Sequence, residues 1–181
     1  DTITMAKAIT SAYMPLGAIT VSEADHDAMV EESRKNGVFA HGFTYGGHPV
    51  ACAVALKTLE IYERIDIVGH VRRVAPVFQA RLQALASHPL IGEARGIGLI
   101  GAVEIVRDKA TKASFEGKSG VGARTVAFAL EEGLVCRAVA GDSIALCPPL
   151  IIDAATINEM FDALGRALDK TLAVVRAEGL A

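Results

Sequence analysis

The sequence predicts a mixed α/β fold that ends in a small α+β layer. Three observations predict it. Short runs of β-branched residues alternate with longer segments whose apolar residues recur at helical spacing. A glycine-dense loop, His41 to Gly47, leads directly into one of those helical segments. From Ile97 onwards the pattern is strand, helix, two short strands and helix, which is typical of a small sheet covered by helices.

Two strand-like runs and a capped helix open the chain. Asp1–Met5 and Gly17–Ser22 are short and rich in β-branched residues. Ser22 is expected to cap a helix that runs to about Arg34, with Asp25 in the position that completes a capping box. A serine hydroxyl and a carboxylate at this spacing satisfy amide groups that a helix start otherwise leaves without partners.

Two longer helices follow the glycine-dense loop. Pro49 stands where the first turn of a helix tolerates proline. Apolar residues then recur at near-helical spacing, at Val50, Val54, Leu59 and Tyr62. A further helix is predicted from about Ile67 to Ala86, and Pro76 inside it is expected to kink the helix or delay its start.

The second half alternates strands and helices. Gly133 is expected to end one helix, and Asp153 to cap the last one. Ala140-Gly141-Asp142 is predicted to form a hairpin-like turn. The predicted elements are a strand (Ile97–Val106), a polar loop (Lys109–Gly120), a helix (Ala123–Glu132), two strands (Leu134–Ala138 and Ser143–Cys147) and a final helix.

Composition narrows the class of protein. The 181 residues are 51% hydrophobic and 22% charged with a net charge of -3, which excludes a disordered chain and gives no basis for general nucleic-acid binding. No apolar run approaches the roughly 18 residues of a membrane-spanning helix. Three scattered cysteines without CxxC spacing predict neither a disulfide framework nor a zinc site, and we expect a reducing, cytoplasmic location.

One glycine pattern invites a false interpretation. Gly96–Gly101 matches the G-x-G-x-x-G string of dinucleotide-binding folds. That string has its meaning only where it follows a strand and opens a helix, and here it runs into the strand-like Ala102–Val106. We therefore favour the alternative, in which the glycines let neighbouring elements approach closely.

Three sites contain residue types that could do chemistry. Lys7 lies among small and apolar residues. If it is buried, desolvation disfavours the ammonium form and leaves an amine that can act as a nucleophile. The alternative is a solvated surface charge, which is what most lysines are. The loop around Thr44 offers a hydroxyl and glycine amides before a helix, which can hold a phosphate or simply cap the helix. His41 and His48 have no carboxylate at metal-ligand spacing, so no metal site is predicted.

Arg137 is the third candidate, because it interrupts an otherwise apolar strand. Facing inward, it would require a carboxylate partner, and a bidentate substrate carboxylate would meet that requirement. Facing outward, it is an ordinary surface arginine, which is the simpler interpretation of this segment alone.

Three segments in register carry a family resemblance: Asp1–Ala18, Gly42–Ala53 and Arg137–Leu150. In order and spacing they resemble the class III (ω-type) pyridoxal-phosphate aminotransferases of fold type I. The resemblance assigns the Schiff-base lysine to Lys7. It assigns binding of the cofactor phosphate of the neighbouring subunit to Thr44 and the backbone at Phe43, and binding of the substrate carboxylate to Arg137.

The resemblance also implies an organisation and an activity. Residues 1–65 would be the last part of the large cofactor-binding domain and residues 66–181 the small C-terminal α+β domain. The cofactor would be pyridoxal 5'-phosphate (PLP), the enzyme a homodimer with a shared active site, and the reaction transamination between an amine or amino acid and a keto acid such as pyruvate. Lys7 would act as general base and acid at the substrate Cα.

The chain departs from the family pattern in three places. Ala8 stands where the family usually has glycine after the lysine, and Ala140 looks like an extra residue in the turn after Arg137. The family's N-terminal half, with the aspartate that pairs with the pyridine nitrogen, would precede Asp1, so the chain is expected to be the C-terminal half of such an enzyme.

Three alternatives remain open at this stage. Another class III activity, such as an aminomutase or a decarboxylating aminotransferase, would use the same lysine and threonine. The chain could instead be a non-catalytic fragment that acts as a binding or dimerisation module. A nucleotide-binding domain has only the Gly96–Gly101 string in its favour.

Overall fold

A computed structural model describes residues 2–139 and 141–180. The chain divides into two compact units, an N-terminal unit (Asp1–Asp66) and a C-terminal unit (Ile67–Ala181). Their assignment to a large and a small domain, with the boundary between residues 65 and 66, stays a prediction. Asp1 in the first predicted strand and Ala140 in the predicted hairpin turn lie outside the described residues.

The N-terminal unit consists of a two-stranded hairpin and two helices. The strands are antiparallel, with Ile3 opposite Thr20 and Met5 opposite Ala18. Between them lies a 3-10 turn, Lys7–Thr10. The bounds are Ile3–Met5 (β1), Ala18–Thr20 (β2), Glu23–Asn36 (α1) and Pro49–Arg64 (α2).

The capping box predicted for α1 is confirmed. The Ser22 hydroxyl accepts a hydrogen bond from the Asp25 amide at 3.2 Å, and the Asp25 carboxylate accepts one from the Ser22 amide at 3.3 Å. Gly37 ends the helix with φ of 72°, a left-handed conformation that glycine adopts without steric cost.

The buried face of α2 consists of small residues. The buried residues are Ala51, Ala55 and Thr58, which recur at the spacing of one helix face. Val50 is 54% exposed and Leu59 46% exposed. The helix predicted to follow Pro49 is therefore confirmed, and small side chains make its close contacts.

The C-terminal unit is a four-stranded antiparallel sheet with three helices. The strand order is β3-β4-β6-β5. Helix α3 packs on β3 and β4, α4 packs on β5 and β6, and α5 packs on both helices. The bounds are Ile67–Ala84 (α3), Ile91–Ile97 (β3), Ile100–Ile105 (β4), Val121–Glu131 (α4), Arg137–Val139 (β5), Ser143–Leu146 (β6) and Ala154–Ala177 (α5).

One hydrophobic core holds this unit together. Its centre is an edge-to-face contact between Phe78 of α3 and Phe161 of α5, with ring centroids 5.2 Å apart. Large side chains from α3, the sheet and α5 belong to the same core, all of them fully buried: Leu82, Val103, Ile105, Ile144, Ile157, Leu164 and Leu168.

The helix predicted from about Ile67 is confirmed, and of the two effects expected of Pro76 the delayed start does not occur. The single strand expected over Ile97–Val106 is wrong, because a turn at Gly98-Leu99 divides the segment and makes a hairpin of β3 and β4. The predicted Asp153 cap is confirmed: its carboxylate accepts from the Thr156 amide at 2.8 Å.

The glycine string lies in that hairpin and has a packing role. A Cβ atom at Gly96 would lie 2.7 Å from a Leu82 methyl and 2.5 Å from the Ile100 carbonyl oxygen. A Cβ atom at Gly101 would also lie 2.7 Å from Leu82. The string is a strand–turn–strand segment rather than a strand–helix junction, so the close-approach interpretation holds and the dinucleotide-site interpretation fails.

Candidate functional site

Lys7 begins the 3-10 turn between β1 and β2 and has an unusual backbone conformation. Its φ is 54°, and Ser11 and Ala12 have φ of 47° and 64°. Residues other than glycine pay about 1–2 kcal/mol for the left-handed region. Such strain persists only where the surroundings impose it, and it concentrates at functional sites. The geometry therefore marks this turn as a candidate site independently of any motif.

The side chain of Lys7 is exposed and makes no ion pair with a described residue. Burial would disfavour the ammonium form and make this amine a nucleophile. The described residues do not provide that burial. Any desolvation of Lys7 has to come from groups other than those described.

The glycine-dense loop places Thr44 on an exposed turn before α2. The Gly46 amide donates to the Phe43 carbonyl at 2.8 Å, and the His48 amide donates to the Tyr45 carbonyl at 3.2 Å. The amides of Thr44 and Tyr45 donate to no described residue. Together with the positive end of the α2 dipole, a free hydroxyl and free amides form a surface that can bind a phosphate.

The strand register decides which way Arg137 faces. Arg137 lies opposite Ala145, whereas its neighbour Ala138 lies opposite the buried Ile144. Because opposite residues share a face of the sheet, Arg137 is on the face away from the core. The strand register therefore gives the outward orientation, and the carboxylate-binding role of Arg137 stays a prediction. Arg137 forms no ion pair with any described residue, so its guanidinium is available to an anion.

Arg137 lines a cavity of about 820 Å³ in the C-terminal unit. Of the other charged residues that line it, Glu159 has no ion pair among the described residues, and the remaining three are paired. Arg166 and Lys170 bind Glu132 at 2.5 Å and 2.7 Å, which lowers the pKa of that carboxyl. Asp162 pairs with Arg81. The floor is apolar and includes Leu134, Leu146, Ile152 and Met160.

The cavity also contains two cysteines, Cys136 and Cys147, both free. Burial raises the pKa of the Cys136 thiol, so this group is not an activated thiolate at neutral pH.

Within the described residues no group of three or more His, Cys, Asp or Glu side chains has the geometry of a metal site. In the same residues, no helix has both the length and the hydropathy of a membrane span.

Sequence reasoning missed two residues that organise these sites. The Tyr62 hydroxyl donates to the Ala8 carbonyl at 3.0 Å and lies 3.1 Å from the Ser11 hydroxyl. Asp142 accepts from the Gly122 amide at 3.0 Å, at the start of α4. Tyr62 follows Ala51, Ala55 and Thr58 at the spacing of one helix face, but no sequence pattern indicates its contact with a turn 54 residues earlier.

The structure therefore places the four predicted site residues on two units. Lys7, Phe43 and Thr44 belong to the N-terminal unit and Arg137 to the C-terminal unit. No hydrogen bond or ion pair joins Lys7 to Phe43 or Thr44 among the described residues. The roles assigned to these four residues stay predictions.

Comparison with known proteins identifies the fold. The chain superposes with a TM-score of 0.91 on a solved structure described as a PLP-bound aminotransferase mutant from Vibrio fluvialis, with 40% identity over 97% of this chain and 38% of that one. The class of protein is thus a fold type I transferase, as predicted. The family model described as "Aminotransferase class-III" matches residues 1–168, and the chain belongs to this family. PLP is the cofactor of that family, as expected.

Two curated relatives illustrate the family. One is a putrescine–pyruvate aminotransferase of Pseudomonas aeruginosa, 43% identical over 98% of this chain and 38% of its own length. Another is a probable mitochondrial gamma-aminobutyrate transaminase 3 of Oryza sativa subsp. indica, 45% identical over 94% of this chain and 33% of its own length. The chain therefore spans about a third of the length of the curated relatives it matches.

Proposed function

We propose that this chain is part of an enzyme that transfers an amino group from an amine or amino acid to a keto acid such as pyruvate, with PLP bound to Lys7. The observation that carries the proposal is the strained backbone at Lys7 in a chain whose residues 1–168 match the class III family. Strain at a lysine with no described ion pair has no structural benefit of its own. A requirement for a fixed amine direction accounts for it.

The residues present fit the cofactor. Lys7 offers an amine with no competing partner among the described residues, and Thr44 offers a hydroxyl beside free amides in the loop that precedes α2. Thr44 and the backbone at Phe43 would hold the phosphate, in a neighbouring subunit. When bound, PLP supplies an aldehyde and a ring that stabilises negative charge at the substrate carbon.

Lys7 would have two tasks in the reaction. Its Nζ would hold the cofactor covalently at rest. Once displaced by the amino donor, the same nitrogen would act as general base and take a proton from the substrate Cα. It would then act as general acid and deliver a proton to the cofactor carbon. This requires an unprotonated amine, so we propose that groups outside the described residues shield Lys7 from solvent.

Arg137 would bind the carboxylate of the keto acid. Its guanidinium has no described counter-ion and faces away from the core, at the edge of a cavity with an apolar floor. A bidentate contact from arginine fixes both the position and the orientation of a carboxylate. An amine donor without a carboxylate would not use this contact.

We also propose a homodimer in a reducing compartment. Phe43 and Tyr45 are each 80% exposed, which is unusual for neighbouring aromatic residues and suits a subunit interface. All three cysteines are free.

Replacement of Lys7 tests the proposal. In the intact natural protein, Lys7→Ala should abolish transamination, lowering the rate by more than about a thousandfold through loss of the general base. It should also remove the adduct that borohydride fixes between lysine and cofactor. Absorbance, product analysis and peptide mass spectrometry measure these effects. Lys57→Ala, which removes an exposed lysine paired with Glu60, is the matched control and should change neither.

Retained turnover or a retained adduct in Lys7→Ala would refute the assignment. Product analysis of the unaltered protein separates transamination from an aminomutase or decarboxylating reaction. Absence of any visible cofactor band after PLP titration of the intact natural protein would instead support the non-catalytic module.

A further inference from the structure

The turn that carries Lys7 needs support from outside its own hairpin. Isolated two-stranded hairpins are marginally stable, and β1 and β2 are three residues each. Two of the backbone bonds that close the turn are long: Ile9 amide to Ala6 carbonyl at 3.5 Å, and Ala12 amide to Lys7 carbonyl at 3.4 Å. Three left-handed residues between Lys7 and Ala12 add strain. The hairpin alone does not explain how this conformation persists.

Helix α2 supplies the support. It contacts the 3-10 turn directly. Its buried face continues from Thr58 to Tyr62, whose hydroxyl reaches the turn from more than 50 positions further along the chain. That hydroxyl donates its single proton to the Ala8 carbonyl at 3.0 Å, and it can then accept the proton of the Ser11 hydroxyl at 3.1 Å. One side chain thereby holds the turn at two points, Ala8 directly after Lys7 and Ser11 at its end.

We propose that Tyr62 is a positioning residue for Lys7. By holding the Ala8 carbonyl and Ser11, it fixes the backbone of the turn and so the direction in which the Lys7 side chain leaves it. The inference rests on the proposed function of Lys7. Tyr62 acts through the turn, and it has no assigned contact with cofactor or substrate.

The first test uses the intact natural protein without cofactor and measures backbone hydrogen exchange. Tyr62→Phe keeps the ring and removes the hydroxyl, so the Ser11 amide, which donates to Ala8 at 3.1 Å, should exchange roughly threefold to tenfold faster. Ser11→Ala should have a smaller effect, because the contact between Tyr62 and Ala8 remains. The double variant should behave like Tyr62→Phe alone.

Thr58→Val is the matched control. The Thr58 hydroxyl lies on the same face of α2 and donates only to Val54 of its own helix, at 2.8 Å. This variant should leave Ser11 exchange at the wild-type rate. Unchanged Ser11 exchange in Tyr62→Phe, or equal acceleration in Thr58→Val, would overturn the inference.

The second test uses the cofactor-loaded protein. If Tyr62 positions Lys7, Tyr62→Phe should lower kcat about threefold to tenfold with little change in KM for the keto acid. It should also shift the pH midpoint of the visible cofactor band. A general structural role would only reduce the amount of active protein. An unchanged midpoint in Tyr62→Phe would therefore overturn the inference.

The two proposals fail in different ways. Borohydride labelling at a lysine other than Lys7 would refute the proposed function itself. Labelling at Lys7 combined with wild-type exchange, midpoint and kcat in Tyr62→Phe would refute only the positioning role.

Discussion

His88 is a single residue with an unusual electrostatic setting. Its Nδ1 accepts a hydrogen bond from the Leu90 amide at 3.2 Å, which leaves the proton of the neutral ring on Nε2. Nε2 is buried and lies 3.4 Å from the Asp169 carboxylate without a hydrogen bond to it. Burial lowers the pKa of His88, Asp169 opposes this, and the charges of Lys109 and Arg176 lower the pKa further.

A pH dependence of stability follows from this setting. Because the pKa of His88 is lower in the folded state than its unfolded value of about 6.5, the unfolded chain binds more protons just below that pH. The free energy of unfolding should therefore decrease as pH falls below about 6.5. Urea denaturation between pH 5 and 7.5 measures the effect, and His88→Gln should flatten the curve relative to wild type.

His26 offers the control for this prediction, since it is an exposed histidine. His26→Gln should leave the pH dependence unaltered. An identical pH slope in wild type and His88→Gln would show that His88 is not responsible.

The proposed role of Arg137 predicts a selective loss of activity. Arg137→Ala should reduce kcat/KM for the keto acid about 10- to 100-fold, as expected for losing a charge-assisted contact, and affect amines without a carboxylate far less. Steady-state kinetics with both substrates measures the difference. Arg95 is the matched control, because it lies in the same row across the sheet and is paired with Glu104 at 3.1 Å. Equal losses for both substrates would contradict the role.

At the scale of elements, a pair of buried hydroxyls joins α4 and α5. Thr125 and Thr171 are fully buried, with their oxygens 3.0 Å apart. Each hydroxyl is also within donating distance of a carbonyl of its own helix, Thr125 of Val121 at 2.9 Å and Thr171 of Ala167 at 2.8 Å. Two protons serve three contacts, so only two of these hydrogen bonds form at once.

Valine substitutions test this pair. Thr125→Val or Thr171→Val should each destabilise the protein by about 1 kcal/mol, since valine has the same shape and removes one hydrogen bond. The double variant should lose less free energy of unfolding than the sum of the two single variants, because two apolar groups then face each other. Urea denaturation in a double-mutant cycle measures the coupling, and strict additivity would mean that the hydroxyls do not interact.

Local signals explain what could be predicted about the elements. Ser22 and Asp153 begin their helices through bonds to residues three positions away, so short sequence patterns contain the information. The turn at Gly98-Leu99 was missed because apolar residues continue on both sides of it. The buried face of α2 could not be predicted, because its contacts are made by small residues, which periodicity analysis weights lightly.

Some features of the candidate site could be predicted from short sequence patterns and others could not. Lys7, Thr44 and Arg137 could be selected because each lies in a short motif. Whether Arg137 faces inward or outward follows from the pairing of β5 with β6, which involves residues beyond the motif. Tyr62 acts on a turn 54 residues earlier, and no local pattern contains that contact.

At the scale of the whole molecule, buried side chains are distributed unevenly. Among the described residues of the N-terminal unit, only Thr10, Ala51, Ala55 and Thr58 are buried. The C-terminal unit buries the large aromatic and aliphatic residues described above. Because burial of apolar area is the main source of stability, most of the free energy of folding of the 181-residue chain belongs to the C-terminal unit.

Hydrogen exchange on the 181-residue chain tests this distribution. Amides of α2 should exchange at least about 100-fold faster than amides of β4 and α5, because few buried contacts oppose local opening of α2. Mass spectrometry of peptides from each element gives the rates. Equal protection of α2 and β4 would show that the N-terminal unit is as stable as the other.

The exposed aromatic residues of the N-terminal unit also affect how the chain is handled in the laboratory. Tyr13, Phe43 and Tyr45 are at least 80% exposed, so a column with an apolar resin will retain the chain. Ammonium sulfate strengthens the burial of such surface, and it will precipitate the isolated chain early in a fractionation series.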